Sequence, residues 1–355
     1  MSLRIGIDAR LTTKGLGIAQ FITNLTEQIA PLEEVVWFGD RRRAPRDVAE
    51  VRSLEGLPYP ALDSAYGRRL VARERLDLFH FTSNTGWSRP GPVPFVLTVH
   101  DLIFFDTSLR HRRPRQIIGH HYMRWNVPRA ARKAAAVITV SQASADALRL
   151  RLPDVDVTTI IPNATHFSPM ESSSKEKYES ALVFSASDPR KNLELAYLGW
   201  VAAGRIPGQL QVLGGAGIPE RFRLLAADDL SSGCVVILPY LDRESLDDTL
   251  RRAGVLIYPS ADEGFGLPVL EAMAAGTPVI TGLAPATLEL GKDAVARIDP
   301  ADPVGSIASL LQRMQIDSEW RTQLRAAGLR RARAYSWSKS AERYLAVYES
   351  VLSCA

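Results

Sequence analysis

The chain has two cysteines in 355 residues, Cys234 and Cys354, far apart and without metal-ligand spacing. That excludes a disulfide framework and a thiolate metal site, and makes a reducing cytoplasm the expected compartment. Long apolar runs are also lacking: none approaches the roughly 20 residues needed to cross a bilayer. Arg4-Ile5-Gly6-Ile7-Asp8 alternates in charge too early to be the apolar centre of a secretory signal. Three further features are missing: an aspartate-rich metal motif, a convincing nucleophile, and the basic and aromatic platforms that hold nucleic acid. The expectations are no metal, no cofactor and no nucleic-acid partner.

What is present suits a globular protein. Hydrophobic residues make up 46% and charged residues 23%, the balance of a soluble fold. The length is too great for one ordinary core and suits two α/β domains. The net charge of +4 matters only where it clusters. It clusters between Arg110 and Lys133, in Arg110, Arg112, Arg113, Arg115, Arg124, Arg129, Arg132 and Lys133, with His111, His120 and His121 among them. Two readings of that stretch stand. It is a solvated helical face, or it docks on anionic lipid head groups, each cation contributing about 1 kcal/mol. In the second reading Tyr122, Met123 and Trp125 are the interfacial anchors, and the protein is peripheral on the inner face of the membrane.

Apolar strands alternate with helical stretches along both halves. Strands are expected at 3–7, 35–38, 76–81, 94–100, 135–140 and 158–163, with Ser141 as N-cap of the helix after the fifth. A polar segment, Ser172-Ser173-Ser174-Lys175-Glu176-Lys177, reads as a linker. The alternation restarts with strands at 181–185, 210–214, 235–238, 255–258 and 278–281. Such strands argue for two parallel sheets covered on both faces, an α/β fold of two Rossmann-like βαβ domains facing across a cleft. Ligands of open parallel sheets lie beyond the carboxyl ends of the strands, so the chemistry is sought there.

The densest strand end runs from Pro259 to Gly276. A glycine-bearing loop comes after Tyr258, and Pro268 opens a helix, where a missing N–H costs least. The amides of Gly266, Leu267 and Val269 are expected to face the ligand and favour a phosphate. Glu271 is expected in the first turn, either matching the helix dipole or accepting from sugar or ribose hydroxyls. Glu263 is either a solvated loop acid or a ligand group. Arg190 and Lys191 come after another strand and suit a pyrophosphate, the arginine as a fork and the lysine as a point charge. His100 and His80 both end strands; His100 is expected at the cleft floor and His80 as a candidate on the acceptor side. Gly15 and Gly17 are turn formers, or permit close backbone approach to a ligand.

Glu263 and Glu271, with Gly-Phe-Gly-Leu-Pro between them, resemble the paired-glutamate motif of family-four retaining glycosyltransferases of the GT-B fold, mannosyltransferase-like members included. Ser187-Asp188-Pro189-Arg190-Lys191-Asn192-Leu193 resembles that family's basic donor-phosphate motif. Gly17-Ile18-Ala19-Gln20-Phe21 resembles its first glycine loop, with Gln20 and Phe21 where arginine and tyrosine are commoner. Val99-His100-Asp101-Leu102 resembles the segment that reaches the donor sugar, and Ile161-Pro162-Asn163-Ala164 the end of the first domain. Ser336-Trp337 and the residues after them resemble the family's closing helix.

The resemblance implies an acceptor-binding domain over residues 1–168, a linker over 169–180, a donor-binding domain over 181–335, and a helix over 336–355 that crosses back. It implies catalytic roles for His100, Arg190, Lys191 and Glu263. Donor binding falls to Gly17, Tyr240, Leu241, Gly264, Phe265, Gly266, Leu267 and Glu271, with Tyr240 and Leu241 at the nucleotide base. The donor is a nucleotide-diphosphate sugar, the acceptor a saccharide or lipid-linked saccharide, and cationic side chains take the place of a metal. Two other classes share the features. A nucleotide-sugar 2-epimerase would convert donor without acceptor, and a non-catalytic nucleotide-sugar binding protein would keep the scaffold alone. A phosphorylase would need a site for free phosphate that the sequence does not reveal.

Overall fold

Every strand pairing in the described part of the computed structural model is parallel, as near-continuous apolar strands separated by helices require. The structure describes residues 2–13, 16–54, 59–106, 114–167, 178–184 and 188–353. Gly15, Arg110, His111, Arg112, Arg113, Ser187, Cys354 and most of the expected linker lie outside those residues. The chain divides into two units, Met1–Ala164 with Ser336–Ala355, and Thr165–Tyr335.

The first unit contains β1 (Arg4–Ala9), β2 (Glu34–Gly39), β3 (Glu50–Arg52), β4 (Leu78–Phe81), β5 (Phe95–Val99), β6 (Ala136–Thr139) and β7 (Thr159–Ile160). They lie in the order β3-β2-β1-β4-β5-β6-β7. Between them run α1 (Leu16–Ile29), α2 (Ala65–Ala72), α3 (Pro114–Ala131) and α4 (Gln142–Arg151). In the centre of the sheet Ile5 sits beside Val35 on one side and Leu78 on the other, all of them buried. Ser141 caps α4, its hydroxyl accepting from the Ser144 amide at 3.0 Å.

The second unit contains β8 (Ser180–Phe184), β9 (Gln209–Leu213), β10 (Val235–Leu238), β11 (Val255–Tyr258), β12 (Val279–Thr281) and β13 (Ala296–Arg297), in the order β10-β9-β8-β11-β12-β13. Its helices are α5 (Leu193–Ala202), α6 (Glu220–Leu225), α7 (Ala227–Ser231), α8 (Arg243–Arg252), α9 (Leu267–Ala274), α10 (Pro285–Gly291), α11 (Pro303–Ile316) and α12 (Ser318–Ala332). Its core gathers Trp200, Val212, Phe222, Ile257 and Ile307. Gly199 lets α5 approach α11, since a Cβ there would stand 2.5 Å from a methyl of Ile307.

Two edge strands escaped the sequence. Glu50-Val51-Arg52 carries charge at both ends, and Ala296-Arg297 is too short to show a pattern. Both lie at sheet margins, where one flank stays open and no apolar run is required. The strand expected over 158–163 shrinks to Thr159–Ile160, because Pro162 has no N–H to continue the ladder.

The last helix, α13 (Trp337–Ser353), belongs to the first unit. Trp337, Ala341, Tyr344, Tyr348 and Val351 recur every three or four residues and are buried. Its polar groups enter the sheet as well. The Tyr348 hydroxyl lies 2.7 Å from His80 Nδ1, and the Tyr344 hydroxyl lies 3.2 Å from Thr98 Oγ1. Thr98 Oγ1 in turn lies 2.8 Å from His80 Nε2. His80 is therefore fully enclosed, which corrects its reading as an acceptor-side group. Burial, with some help from His100, pushes its pKa down to about 3 and keeps it neutral. Among the described residues no helix is long and apolar enough to cross a membrane.

Candidate active site

In the second sheet the strand order reverses between β8 and β11, the point where an open parallel sheet leaves a crevice. The loops after these two strands carry the charged residues. After β8 the chain passes through a short 3-10 turn, Pro189–Lys191, and enters α5 from Asn192, whose φ of 50° is left-handed. Asp188 caps the turn by accepting from the Arg190 amide at 3.1 Å. It also takes the arginine fork, Nε to Oδ1 at 3.0 Å and Nη2 to Oδ2 at 2.5 Å. Burial raises the Asp188 pKa, but the hydrogen bonds and charge of Arg190 more than offset it and hold the carboxyl below its usual value.

Two bonds stitch this loop to the one after β11. Asn192 Nδ2 donates to the Pro259 carbonyl at 2.9 Å, and the Ala261 amide donates to the Arg190 carbonyl at 2.9 Å. The stitching brings Lys191 against Glu263, with Nζ 2.5 Å from Oε1. The Tyr258 hydroxyl and the Ser260 hydroxyl each donate to the same oxygen at 2.7 Å. Lys191 also bonds the Tyr258 hydroxyl, and its ammonium lies 4.8 Å from the Tyr258 ring centroid. The side chains of Lys191 and Glu263 are 19% and 14% exposed, so the pair is sheltered yet still reachable by a ligand.

Gly266 supplies the turn into α9 with a φ of 96°, a conformation that favours glycine. No side chain caps that helix. The expected amide set needs correction. Val269 donates to the Gly266 carbonyl at 2.9 Å, and Pro268 has no N–H. Helix geometry leaves the Leu267 amide without an intrahelical acceptor, so it remains a group suited to an anion. Glu271 is also corrected: α9 begins at Leu267, which puts Glu271 in the second turn, 4% exposed. Phe265 is buried and packs edge-on against Tyr335, with centroids 5.8 Å apart. Gly264 lies between Glu263 and this anchor and is partly buried.

Tyr240 is 64% exposed and Leu241 half-buried, in the loop after β10. Strand β9 lies between β10 and the strand that leads into the Lys191 loop, and the Tyr240 backbone passes the glycine turn at Gly215. The structure thus joins Arg190, Lys191 and Glu263 around one switch point and keeps Tyr240 and Leu241 at the far margin of the same sheet.

In the first unit, His100 comes directly after β5 and Gly17 is an exposed residue in the first turn of α1. The His100 imidazole donates from Nε2 to the Thr82 carbonyl at 2.8 Å and meets the Phe21 ring edge-on at 4.7 Å. Its amide donates to Asn84 Oδ1 at 2.7 Å, and its carbonyl accepts from Ser144 Oγ at 2.8 Å. Burial lowers the imidazole pKa to about 4, the bond to Thr82 opposing it. At neutral pH the ring is uncharged with Nδ1 as its acceptor, so it could receive a sugar hydroxyl but has no proton to give an oxyanion.

Sequence reasoning missed Tyr258, Ser260 and Asn192 as site residues. One signal was available: Val255-Leu256-Ile257-Tyr258 ends an aliphatic strand with a hydroxyl at the switch point.

Comparison with known proteins agrees with this geometry. Residues 168–331 match the family model described as Glycosyl transferases group 1, and residues 17–167 match Glycosyltransferase Family 4. The chain is 29% identical over 270 residues to the O-antigen chain mannosyltransferase B of Escherichia coli, covering 72% of this chain and 70% of that one. It is 33% identical over 140 residues to the D-inositol 3-phosphate glycosyltransferase of Acidothermus cellulolyticus, covering 38% of this chain and only 30% of that relative. Anabaena Alr3699/HepE, solved in complex with UDP-glucose, shares the fold with a TM-score of 0.70 at 17% identity, over 98% of this chain and 100% of that one.

Proposed function

We propose that this chain, which belongs to the group 1 glycosyltransferases and has the GT-B fold, moves a hexosyl group, mannosyl by preference, from a nucleotide-diphosphate sugar to a saccharide or lipid-linked saccharide with retention of configuration. The observation that carries the reading is the Lys191–Tyr258–Glu263 cluster at the switch point of the second sheet, beside the uncapped start of α9. Departure of the nucleoside diphosphate builds negative charge on the leaving oxygen. Lys191, Arg190 and the Leu267 amide would stabilise that charge, the preorganised electrostatic contribution that is commonly the largest in such reactions. Glu263 would hold donor-sugar hydroxyls, Glu271 the ribose, and Tyr240 and Leu241 the base. No metal takes part in this scheme. With no convincing nucleophile in the sequence, the departing phosphate would itself help deprotonate the acceptor hydroxyl on the same face of the sugar.

The mannosyl preference comes from the name of the Escherichia coli relative, and the UDP-glucose complex of the Anabaena protein supports a nucleotide-sugar donor. A thermal-shift panel of UDP-, GDP-, ADP- and dTDP-sugars should pick out the base, since a tight ligand raises apparent stability by mass action. Product analysis with and without saccharide acceptors then separates transfer from epimerisation. Conversion of the donor to an isomer without any acceptor would sink the transferase reading.

Membrane docking belongs to the same proposal. On α3, Ile118 is 68% and Trp125 45% exposed, and Arg129 stacks over the Trp125 ring at 4.7 Å. An apolar residue flanked by cations is the composition of an interfacial helix. Sedimentation with phosphatidylglycerol vesicles should carry the protein down at low salt, and Trp125→Ala with Lys133→Ala should release most of it. Equal binding of wild type and variant would remove α3 from the proposal.

A further inference from the structure

Glu263 offers one oxygen, Oε1, to three donors at once: Lys191 Nζ at 2.5 Å, the Tyr258 hydroxyl at 2.7 Å and the Ser260 hydroxyl at 2.7 Å. The lysine alone neutralises the carboxylate, so the two hydroxyls add little charge balance to the pair as it stands. Their value appears in the reaction proposed above. A donor diphosphate competes with Glu263 for the ammonium of Lys191, which is a mobile point charge on a flexible stem. Once the lysine turns to phosphate, Glu263 keeps its sheltered position. A sheltered carboxylate without donors is left unsatisfied and loses its fixed grip on sugar hydroxyls.

We propose that Tyr258 is a positioning residue of the transfer reaction: with Ser260, it holds Glu263 Oε1 fixed in place when Lys191 turns to the donor diphosphate. The inference rests on the donor-site reading above and adds to it the residue that allows a single lysine to serve two partners. Tyr258 is built for this. It is 1% exposed at the end of β11, and its carbonyl accepts from Thr281 Oγ1 at 2.7 Å, which fixes the strand end. Burial, reinforced by the charge of Glu263, holds its phenol well above the usual range, so the hydroxyl keeps its proton and remains a donor. Ser260 is fully buried, so its hydroxyl is equally well placed. The aromatic face beneath the ammonium gives Lys191 a second resting contact as it changes partners.

The test compares full-length wild type, Tyr258→Phe, Ser260→Ala and the double variant. Turnover of GDP-mannose and of UDP-glucose is followed at neutral pH, and GDP and UDP binding by calorimetry. Tyr258→Phe should lower kcat about 10- to 100-fold, the size of one lost hydrogen bond to a charged group. Nucleotide affinity should stay at the wild-type value, since the nucleotide is held by other groups. Ser260→Ala should lower kcat in the same way, and it serves if Tyr258→Phe does not fold. The double variant should fall to the level of Glu263→Gln. An active wild type whose variants keep its kcat overturns the role of Tyr258 alone, as does a kcat loss matched by an equal loss of nucleotide affinity. A wild type that neither turns over the two sugars nor binds GDP or UDP overturns the donor-site reading and this inference together.

Discussion

The two sheets begin with the same strand order, three strands running back to the first and then forward from it, yet their switch points hold different chemistry. In the second unit the crevice between β8 and β11 holds a lysine, a glutamate, a phenol and a serine that share one oxygen atom. Two members of that set are partly open to solvent, and the lysine is free to choose among acceptors. In the first unit the corresponding point, between β1 and β4, holds Asp8 clamped by the Arg10 fork, with Nε to Oδ1 at 2.8 Å and Nη2 to Oδ2 at 2.7 Å. Asp8 is 1% exposed, and the Thr82 hydroxyl bonds its carbonyl. Beneath lie two neutral histidines, three of whose four nitrogens are taken up by Thr82, Thr98 and Tyr348. One crevice is arranged so that partners can change, and the other so that they cannot. A shared topology says where a ligand would lie, while the exposure and charge of the groups there say which unit carries the charge-stabilising step.

The contrast breaks most visibly through Lys191 and Glu263. Lys191→Ala or Glu263→Gln should cut turnover about 100- to 1,000-fold, the usual effect of removing one preorganised charge-stabilising group. Stability should change little. Glu263 keeps its two hydroxyl donors in the lysine variant, and the amide keeps an acceptor oxygen in the glutamine variant. Steady-state rates measured beside thermal melts would check both halves of the statement. Near-wild-type turnover in both variants would remove the difference between the units.

Much of this was legible in the sequence. Aliphatic runs such as Val255-Leu256-Ile257 announced parallel strands, and Arg190, Lys191 and Glu263 stood at strand ends. The features that stayed hidden depend on contacts distant in the chain. Tyr258 read as the end of a strand because its hydroxyl finds Lys191 only when the β8 and β11 loops are stitched by Asn192 and Ala261. His80 read as an acceptor-side candidate because Tyr348, on the helix that covers it, lies 268 residues later. The Val269 amide and Glu271 were misplaced by a single step: α9 starts one residue before Pro268, and that moves the carboxylate from the first turn to the second.

The histidines of the first unit give the smaller effect, on stability and not on rate. Burial takes His80 from 6.5 to about 3 and His100 from 6.5 to about 4. Above pH 6.5 both are neutral in the folded and the unfolded chain, so they add no pH dependence. Below it the unfolded chain binds two protons that the folded chain refuses. Stability must therefore fall as pH falls, by up to about 1.4 kcal/mol per pH unit for each histidine, until pH reaches the folded values. His80→Gln should lower stability at neutral pH, since the side chain loses its fit between Thr98 and Tyr348, yet it should remove its own share of the acid slope, up to about 1.4 kcal/mol per pH unit. Its turnover per folded molecule should match wild type. Denaturant unfolding repeated down the pH scale reads the slope directly, and an identical slope in wild type and variant would mean that His80 is protonated in the folded chain and that the first unit is no more closed to charge than the second.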